Sequence, residues 1–138
     1  MLGTGSREWT DDEAIIRMFR TVTAPPEEVI FRHGDNPRGF DRKAARIAKD
    51  EFGWEVDPCP ADWDQYGKQA GPIRNAEMVA KLPKPDVCFG FPLAGSKGTY
   101  DCMAKAKAAG IRTEPYISER YIRGAVNEIM RLFPPDRA

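Results

Sequence analysis

The sequence predicts an α/β domain built on a mainly parallel sheet, and three observations lead there. Short apolar, strand-like runs alternate with segments of helical period along the chain. Glycine-bearing turns stand between each run and the helical segment that follows it. The 138 residues fit one domain, able to bury roughly 68% of the surface its unfolded chain exposes.

The elements are expected in this order. A very short first strand, Met1–Leu2–Gly3–Thr4, leads into the turn Gly5–Ser6–Arg7. Thr10 and Glu13 have the spacing of a capping box and open a helix to about Arg20 that points Ile15, Ile16 and Phe19 inward. Glu28 to His33 reads as the second strand, closed by Gly34. From Gly39 to Phe52 the apolar residues Phe40, Ala44, Ile47, Ala48 and Phe52 fall on one helical face, with Arg42, Lys43, Arg46 and Lys49 on a solvated one. A short strand over Trp54 to Asp57 is followed by Pro58 to Pro72, where proline and glycine argue for a long loop. Pro72 suits the first turn of a helix to about Leu82. Asp86 to Phe91 is the most strand-like run, and a helix is expected from about Thr99 to Ala109, then a weak fifth strand from Ile111 to Tyr116. Ile122, Val126, Ile129, Met130 and Phe133 stripe a terminal helix over 117–138, expected to pack on this domain (1–116) or on a second copy in a homodimer.

Totals exclude several classes of function. Lys and Arg number 21 and Asp and Glu 21, so no bulk positive field exists to hold a nucleic acid, which is not the expected partner. Cys59, Cys88 and Cys102 form no C-x-x-C pair and read as structural thiols of a reducing compartment. No metal spacing is present, no cofactor is implied, and no apolar run suggests a leader or a membrane span, so the expected location is the cytoplasm.

In an open parallel sheet the strand-to-helix turns gather on the carboxyl edge, where helix N-termini favour anions. Four turns here carry glycine together with Arg, Ser, Thr or Asn: Gly5–Arg7, Gly34–Asp41, Gly71–Asn75 and Ala94–Thr99. The last looks like a nucleotide P-loop, since Gly90 and Gly95 have its spacing, but Ser96 stands where the lysine must be and Lys97 is one residue late. An anion loop is expected, and not that of a nucleoside triphosphatase.

The stretches "TGSREWTD", "HGDNPRGFD", "PADWDQYGKQAGPIRNAEM" and "FPLAGSKGTYDC" resemble, in order and spacing, the YspA-like, cpYpsA-related branch of the SLOG superfamily, a family of bacteria and their phages. The resemblance runs from about Gly3 to Ile111 and implies a Rossmann-like three-layer sandwich, akin to the DNA-processing protein DprA and the LOG phosphoribohydrolases. It implies binding of a nucleotide or nucleotide-derived small molecule such as ADP-ribose or an NAD derivative, with two alternatives: hydrolysis of an N-glycosidic bond, or a DprA-like single-strand nucleic-acid module. Position by position it points to Gly5, Ser6 and Arg7; His33, Gly34, Gly39 and Asp41; Arg74 and Asn75 after Pro72; and Gly95, Ser96, Gly98 and Thr99 as the binding set. The chain departs from the pattern in a first strand short of two or three apolar residues. It also departs from the LOG loop, with Leu93–Ala94 in place of a double glycine and Cys102 at the glutamate position.

Individual residues carry alternatives. Arg74 either grips a phosphate or pairs with a carboxylate such as Asp64, and Arg7 either meets the ligand or stacks on Trp9. His33 either touches ligand or fixes its own turn. Asp41 and Asp101 are the carboxylates available for a glycosidic hydrolysis, Asp41 being also a structural acceptor at the start of its helix. Trp63 and Tyr66 either stack on a base or anchor their loop to the sheet.

Overall fold

The computed structural model describes residues 1–117 and 129–134. It is a Rossmann-like sandwich whose five strands, β1 (Leu2–Gly5), β2 (Ile30–His33), β3 (Glu55–Pro58), β4 (Val87–Phe91) and β5 (Arg112–Pro115), form one sheet in the order β3-β2-β1-β4-β5. Every pairing is parallel, with Leu2 to Gly5 of β1 in register with Cys88 to Phe91 of β4. Strand order reverses at β1, so the crevice between the carboxyl ends of β1 and β4 is the switch point.

Period-two alternation splits the strands between two cores, one on each side of the sheet. Phe31, Phe89 and Phe91 face the larger core, with Trp9, with Ile15 and Phe19 of α1 (Asp12–Phe19) and with Phe40, Ala44 and Ile47 of α2 (Phe40–Asp50). Leu2 and Cys88 face the smaller one, with Met78 and Val79 of α4 (Ala70–Ala80) and Cys102 and Ala106 of α5 (Lys97–Ala108). β1 has no side chain to offer the larger core at Gly3 and Gly5. A Cβ at Gly3 would stand 2.5 Å from the Phe31 ring, and one at Gly5 2.3 Å from Phe40. The aromatic rings therefore lie directly on the central strand, and Phe40 stacks on Phe91 with centroids 4.6 Å apart.

Several boundaries differ from those expected. Helix α1 is capped by Asp11, whose carboxylate accepts from the Ala14 N–H at 3.1 Å, and Thr10 and Glu13 are exposed with no capping box. The Trp9 indole donates to the Asp11 carbonyl at 2.8 Å, which fixes the chain one residue beyond the expected cap. The stretch 58–72 is largely helical: Asp62 caps α3 (Trp63–Tyr66), a 3-10 turn covers Gly67–Gln69, and α4 begins at Ala70. Gly71–Asn75 is thus the opening of α4 and no turn; Pro72 fits because the N–H it lacks would have no intrahelical acceptor there. Helix α5 starts at Lys97, two residues before the expected Thr99. On α2, Lys43 and Arg46 pair with Asp12 of α1 at 3.3 and 3.2 Å. Of the terminal stripe, Ile122 and Val126 lie outside the described residues, while Ile129 is buried and Met130 exposed. No helix among the described residues is long and apolar enough to cross a membrane.

One buried side chain that points away from the larger core ties β2 to β3 and to the end of α4. Arg32 on β2, 3% exposed, bonds Asp57 of β3 at 2.8 Å. The same guanidinium donates to the carbonyls of Met78, Lys81 and Pro83, at 2.9, 3.0 and 3.1 Å. It satisfies the carbonyl end of α4 and the turn that follows, a task for which a planar fork is suited and an ammonium is not. Arg32→Met should cost about 3–5 kcal/mol of unfolding free energy, because it strands those acceptors. Arg32→Lys should restore only part of the loss; urea unfolding midpoints of the three proteins check both expectations.

Candidate functional site

A cleft of about 350 Å³ opens at the switch point, walled by the turn after β1, the turn after β2, the first turns of α4 and the loop from β4 into α5. Its size is that of a small-ligand pocket.

The floor is the turn after β1. Ser6 donates its backbone N–H to the Phe91 carbonyl at 3.0 Å and accepts at its own carbonyl from Trp9 and Phe40, at 3.2 and 3.0 Å. Its hydroxyl accepts from the Glu8 N–H at 3.0 Å. Gly39, at φ +74°, comes so close to Arg7 that a Cβ would stand 2.2 Å from the Arg7 carbonyl oxygen. Gly39 and Ser6 thus shape the turn that leaves the Arg7 side chain exposed on the lip of the cleft.

The opposite wall is the loop before α5. Ser96 Oγ accepts from the Leu93 N–H at 3.0 Å and closes the loop on itself, with Gly95 at φ +78°. The Tyr100 N–H reaches the Ser96 carbonyl and that of Lys97 reaches Gly95. The N–H groups of Gly98 and Thr99, in the same first turn, have no intrahelical acceptor and stand at the cleft with the positive end of the helix dipole. Lys97 lines the cleft beside them.

Arg74 and Asn75 hold the third wall. Arg74 donates to the Asn75 side-chain oxygen at 3.0 Å, to the Cys59 carbonyl at 3.4 Å and, closely, to the Gly34 carbonyl. Its Nη2 has no acceptor among the described residues. Asp64 is not its partner. A Cβ at Gly34 would stand 2.6 Å from the guanidinium, so glycine lets Arg74 keep this position without shifting. Asn75 is buried and spends its amide on Gly98 O at 3.2 Å and Asp101 Oδ2 at 3.0 Å, clamping α4 to the start of α5.

Asp41, at the second position of α2, is the buried acid of the cleft, with 7% of its surface exposed. Burial pushes its pKa up to about 6, against the pull of the Asn36 N–H that it accepts at 3.1 Å and of the Arg74 charge. Glu8, the other cleft carboxylate, is exposed and turned to Arg38 at 2.8 Å. Lining cations (Arg7, Arg74, Lys97) therefore outnumber lining carboxylates (Glu8, Asp41).

Gly5, Ser6, Arg7, Gly34, Asp41, Arg74, Asn75, Gly95, Ser96, Gly98 and Thr99 all come together in this lining. Three expected residues stand apart from it. His33 is buried beneath the turn, where its Nδ1 accepts from the Asp35 N–H at 3.0 Å and its ring stacks on Phe31; burial lowers its pKa and favours the neutral ring, whose Nε2 has no partner among the described residues. Gly39 shapes the Arg7 turn from behind. Asp101 pairs with Lys105 at 2.7 Å, outside the cleft. Trp9 is not the partner of Arg7: it is buried edge-on against Phe91, and the guanidinium lies over Trp63 instead, 5.8 Å from the ring centre. Thr4, Glu8, Asn36, Met78, Ala94 and Lys97 line the cleft as well, beyond the site residues expected from the sequence. Asn36 has no pattern to betray it, whereas Lys97 was visible and set aside for being one position late for a P-loop.

Against known proteins, the chain is 40% identical over 116 residues to the Gene 61 protein of Mycobacterium phage D29, an alignment covering 80% of this chain and 90% of that relative. The family model for YspA, cpYpsA-related SLOG proteins matches residues 2–66. This chain belongs to that SLOG family. The match spans β1 to α3, so it contains the floor of the cleft and Asp41, while Arg74, Asn75 and the α5 loop lie beyond it. No solved structure matches the chain significantly. In this SLOG protein Cys102, which stands where the LOG resemblance would put glutamate, is fully buried among Leu2, Met78 and Cys88.

A carboxyl that holds its proton to about pH 6 when folded, but to about 4 when unfolded, favours the folded state in acid. The wild type should therefore lose stability relative to Asp41→Asn as pH rises from 4 to 7, by a total of roughly 2–3 kcal/mol, and the difference should stay constant above that. Urea unfolding of both proteins at pH 4.5, 5.5 and 7.5 measures it, and the common contribution of His33 cancels in the comparison.

Proposed function

We propose that this SLOG protein binds a phosphorylated, nucleotide-derived small molecule in the cleft at the switch point, as a sensing or sequestering protein. The observation that carries the reading is the convergence on one cleft of the unpaired Gly98 and Thr99 N–H groups with Arg7, Arg74 and Lys97. Backbone donors at a helix start give a phosphate fixed hydrogen bonds, and the Arg74 fork, held by Gly34 and Asn75, offers Nη2 at no further ordering cost. Lys97 follows the glycine loop at the helix start and can serve as a point charge, without the geometry of a triphosphatase.

A second reading, hydrolysis of an N-glycosidic bond, is favoured by one residue. Asp41 faces the cleft with a proton retained to about pH 6, as a general acid toward a leaving base requires. The LOG-type glutamate is replaced by the buried Cys102, and Asp101 is engaged by Lys105 and Asn75, so Asp41 alone supports this reading. Release of free base from a bound nucleotide, abolished in Asp41→Asn, would establish it.

Binding is tested by thermal unfolding against AMP, ADP-ribose and NAD. A ligand at 100 times its Kd stabilises by about 2.7 kcal/mol, a rise of several degrees in Tm for a domain of this size. Arg7→Ala and Lys97→Ala remove exposed side chains and should keep the unliganded Tm within about 1–2 degrees while losing most of the ligand shift. No shift with any of the three at millimolar concentration would overturn the reading.

A further inference from the structure

All three tryptophans are described, and two are core residues: Trp9 and Trp54 are 1% and 5% exposed. Trp63 is 48% exposed, on the four-residue helix α3, and Tyr66 three residues later is 41% exposed. The Trp63 ring lies against the first turn of α4: a Cβ at Gly71 would stand 3.4 Å from the indole Cη2, in ordinary contact. One turn further along the same helix is Arg74, in the cleft wall. The indole also carries Arg7, which lines the cleft, over its ring. The half-exposed indole does not line the cleft itself but stands beside it, in contact with the lining residue Arg7 and against the turn of α4 that precedes Arg74.

We propose that Trp63 is the stacking platform for a planar aromatic base whose attached phosphate occupies the cleft, so that the ligand class is a base-bearing nucleotide and not a sugar phosphate or inorganic anion. The inference rests on the binding reading above and adds the half of the ligand that a phosphate site cannot specify. At 5.8 Å the guanidinium sits near the outer limit of a cation–π contact, so an arriving base can take its place on the indole. Arg7 then turns to the phosphate. A ring carried on α3 and packed against the start of α4 accepts any base with a π-face, while the cleft fixes where the phosphate lies. The same arrangement explains why a large apolar ring is left half in water on a segment otherwise capped and helical.

The matched probes are AMP and ribose 5-phosphate, which differ only in the base, measured by calorimetry and by tryptophan fluorescence. Because Trp9 and Trp54 are buried, quenching by ligand reports Trp63. In the wild type AMP should bind roughly tenfold or more tighter than ribose 5-phosphate and quench the emission, and ribose 5-phosphate should bind without quenching. Trp63→Ala should bring AMP down to the affinity of ribose 5-phosphate and leave the latter within about twofold, and Trp63→Phe should keep most of the preference. Circular dichroism melts verify that both variants fold. Equal affinities of the two probes in the wild type, or an unchanged AMP affinity in Trp63→Ala, would overturn the stacking role and leave the phosphate cleft standing. Failure of both probes to bind at millimolar concentration would remove the cleft and the platform together.

Discussion

The bare backbone of β1 is the constraint on which the site depends. With glycine at positions 3 and 5, the Phe31 and Phe40 rings press onto the strand itself, and no larger residue could stand there without displacing them. Phe40 is also the first residue of α2, so the ring that fills the space over Gly5 sets where that helix begins. Its N–H bonds the Ser6 carbonyl, and Ser6 in turn bonds Phe91, so the exits of β1 and β4 and the entry of α2 are knotted within a few ångströms. Asp41 and Arg7 come to the cleft as consequences of that knot: one follows Phe40 directly, the other follows Ser6. A four-residue strand suffices at the centre because its neighbours supply the packing.

Two arginines with buried or half-buried guanidinium groups stand in contrasting surroundings. Arg32 spends its donors on one carboxylate and three carbonyls and belongs to the frame. Arg74 is anchored by carbonyls and an amide, with no carboxylate within pairing distance among the described residues, so its charge is oriented without being neutralised. Asp41 completes the contrast. Buried, with only a backbone N–H for a hydrogen-bond partner, it resists ionisation up to about pH 6, and a neutral Asp41 does not oppose an incoming anion. The local charge of the cleft is accordingly more positive below neutral pH than its formal count suggests.

Much of the fold was legible because it rests on periodicity, which a single chain carries. The alternation of Phe89 and Phe91 with Cys88 and Gly90, and the helical stripe of Phe40, Ala44 and Ile47, place those residues in their observed layers. Errors fell where a local bond decides between adjacent residues. Asp11 outcompetes Thr10 as a cap because the Trp9 indole anchors its carbonyl, a tertiary fact. The 58–72 stretch was read as loop from its prolines and glycines, yet Gly71 and Pro72 occupy a first helical turn, where neither is costly. The glycine turns converge as a parallel sheet demands, so the lining was largely foreseeable. Which lining residues hold one another and which remain open was not: the residue pattern leaves His33 open between ligand and its own turn, and the tertiary structure decides for the turn, while Asp101 and Lys105 show an i,i+4 spacing that is visible in the sequence and takes Asp101 out of the cleft.

The register of β1 on β4 joins residues 2–5 to residues 88–91, and the walls of the cleft come from both sides of that long closure. Few local contacts reward such a pairing before it forms, so the cost of closing the intervening chain falls on the step that brings the two strands together. The cleft therefore has no existence in any partly folded half of the chain. A ligand held there would act on the finished domain: it would hold the two halves of the sheet against separation and lengthen the lifetime of the native state, while the rate at which an unfolded chain finds that state would stay as it was.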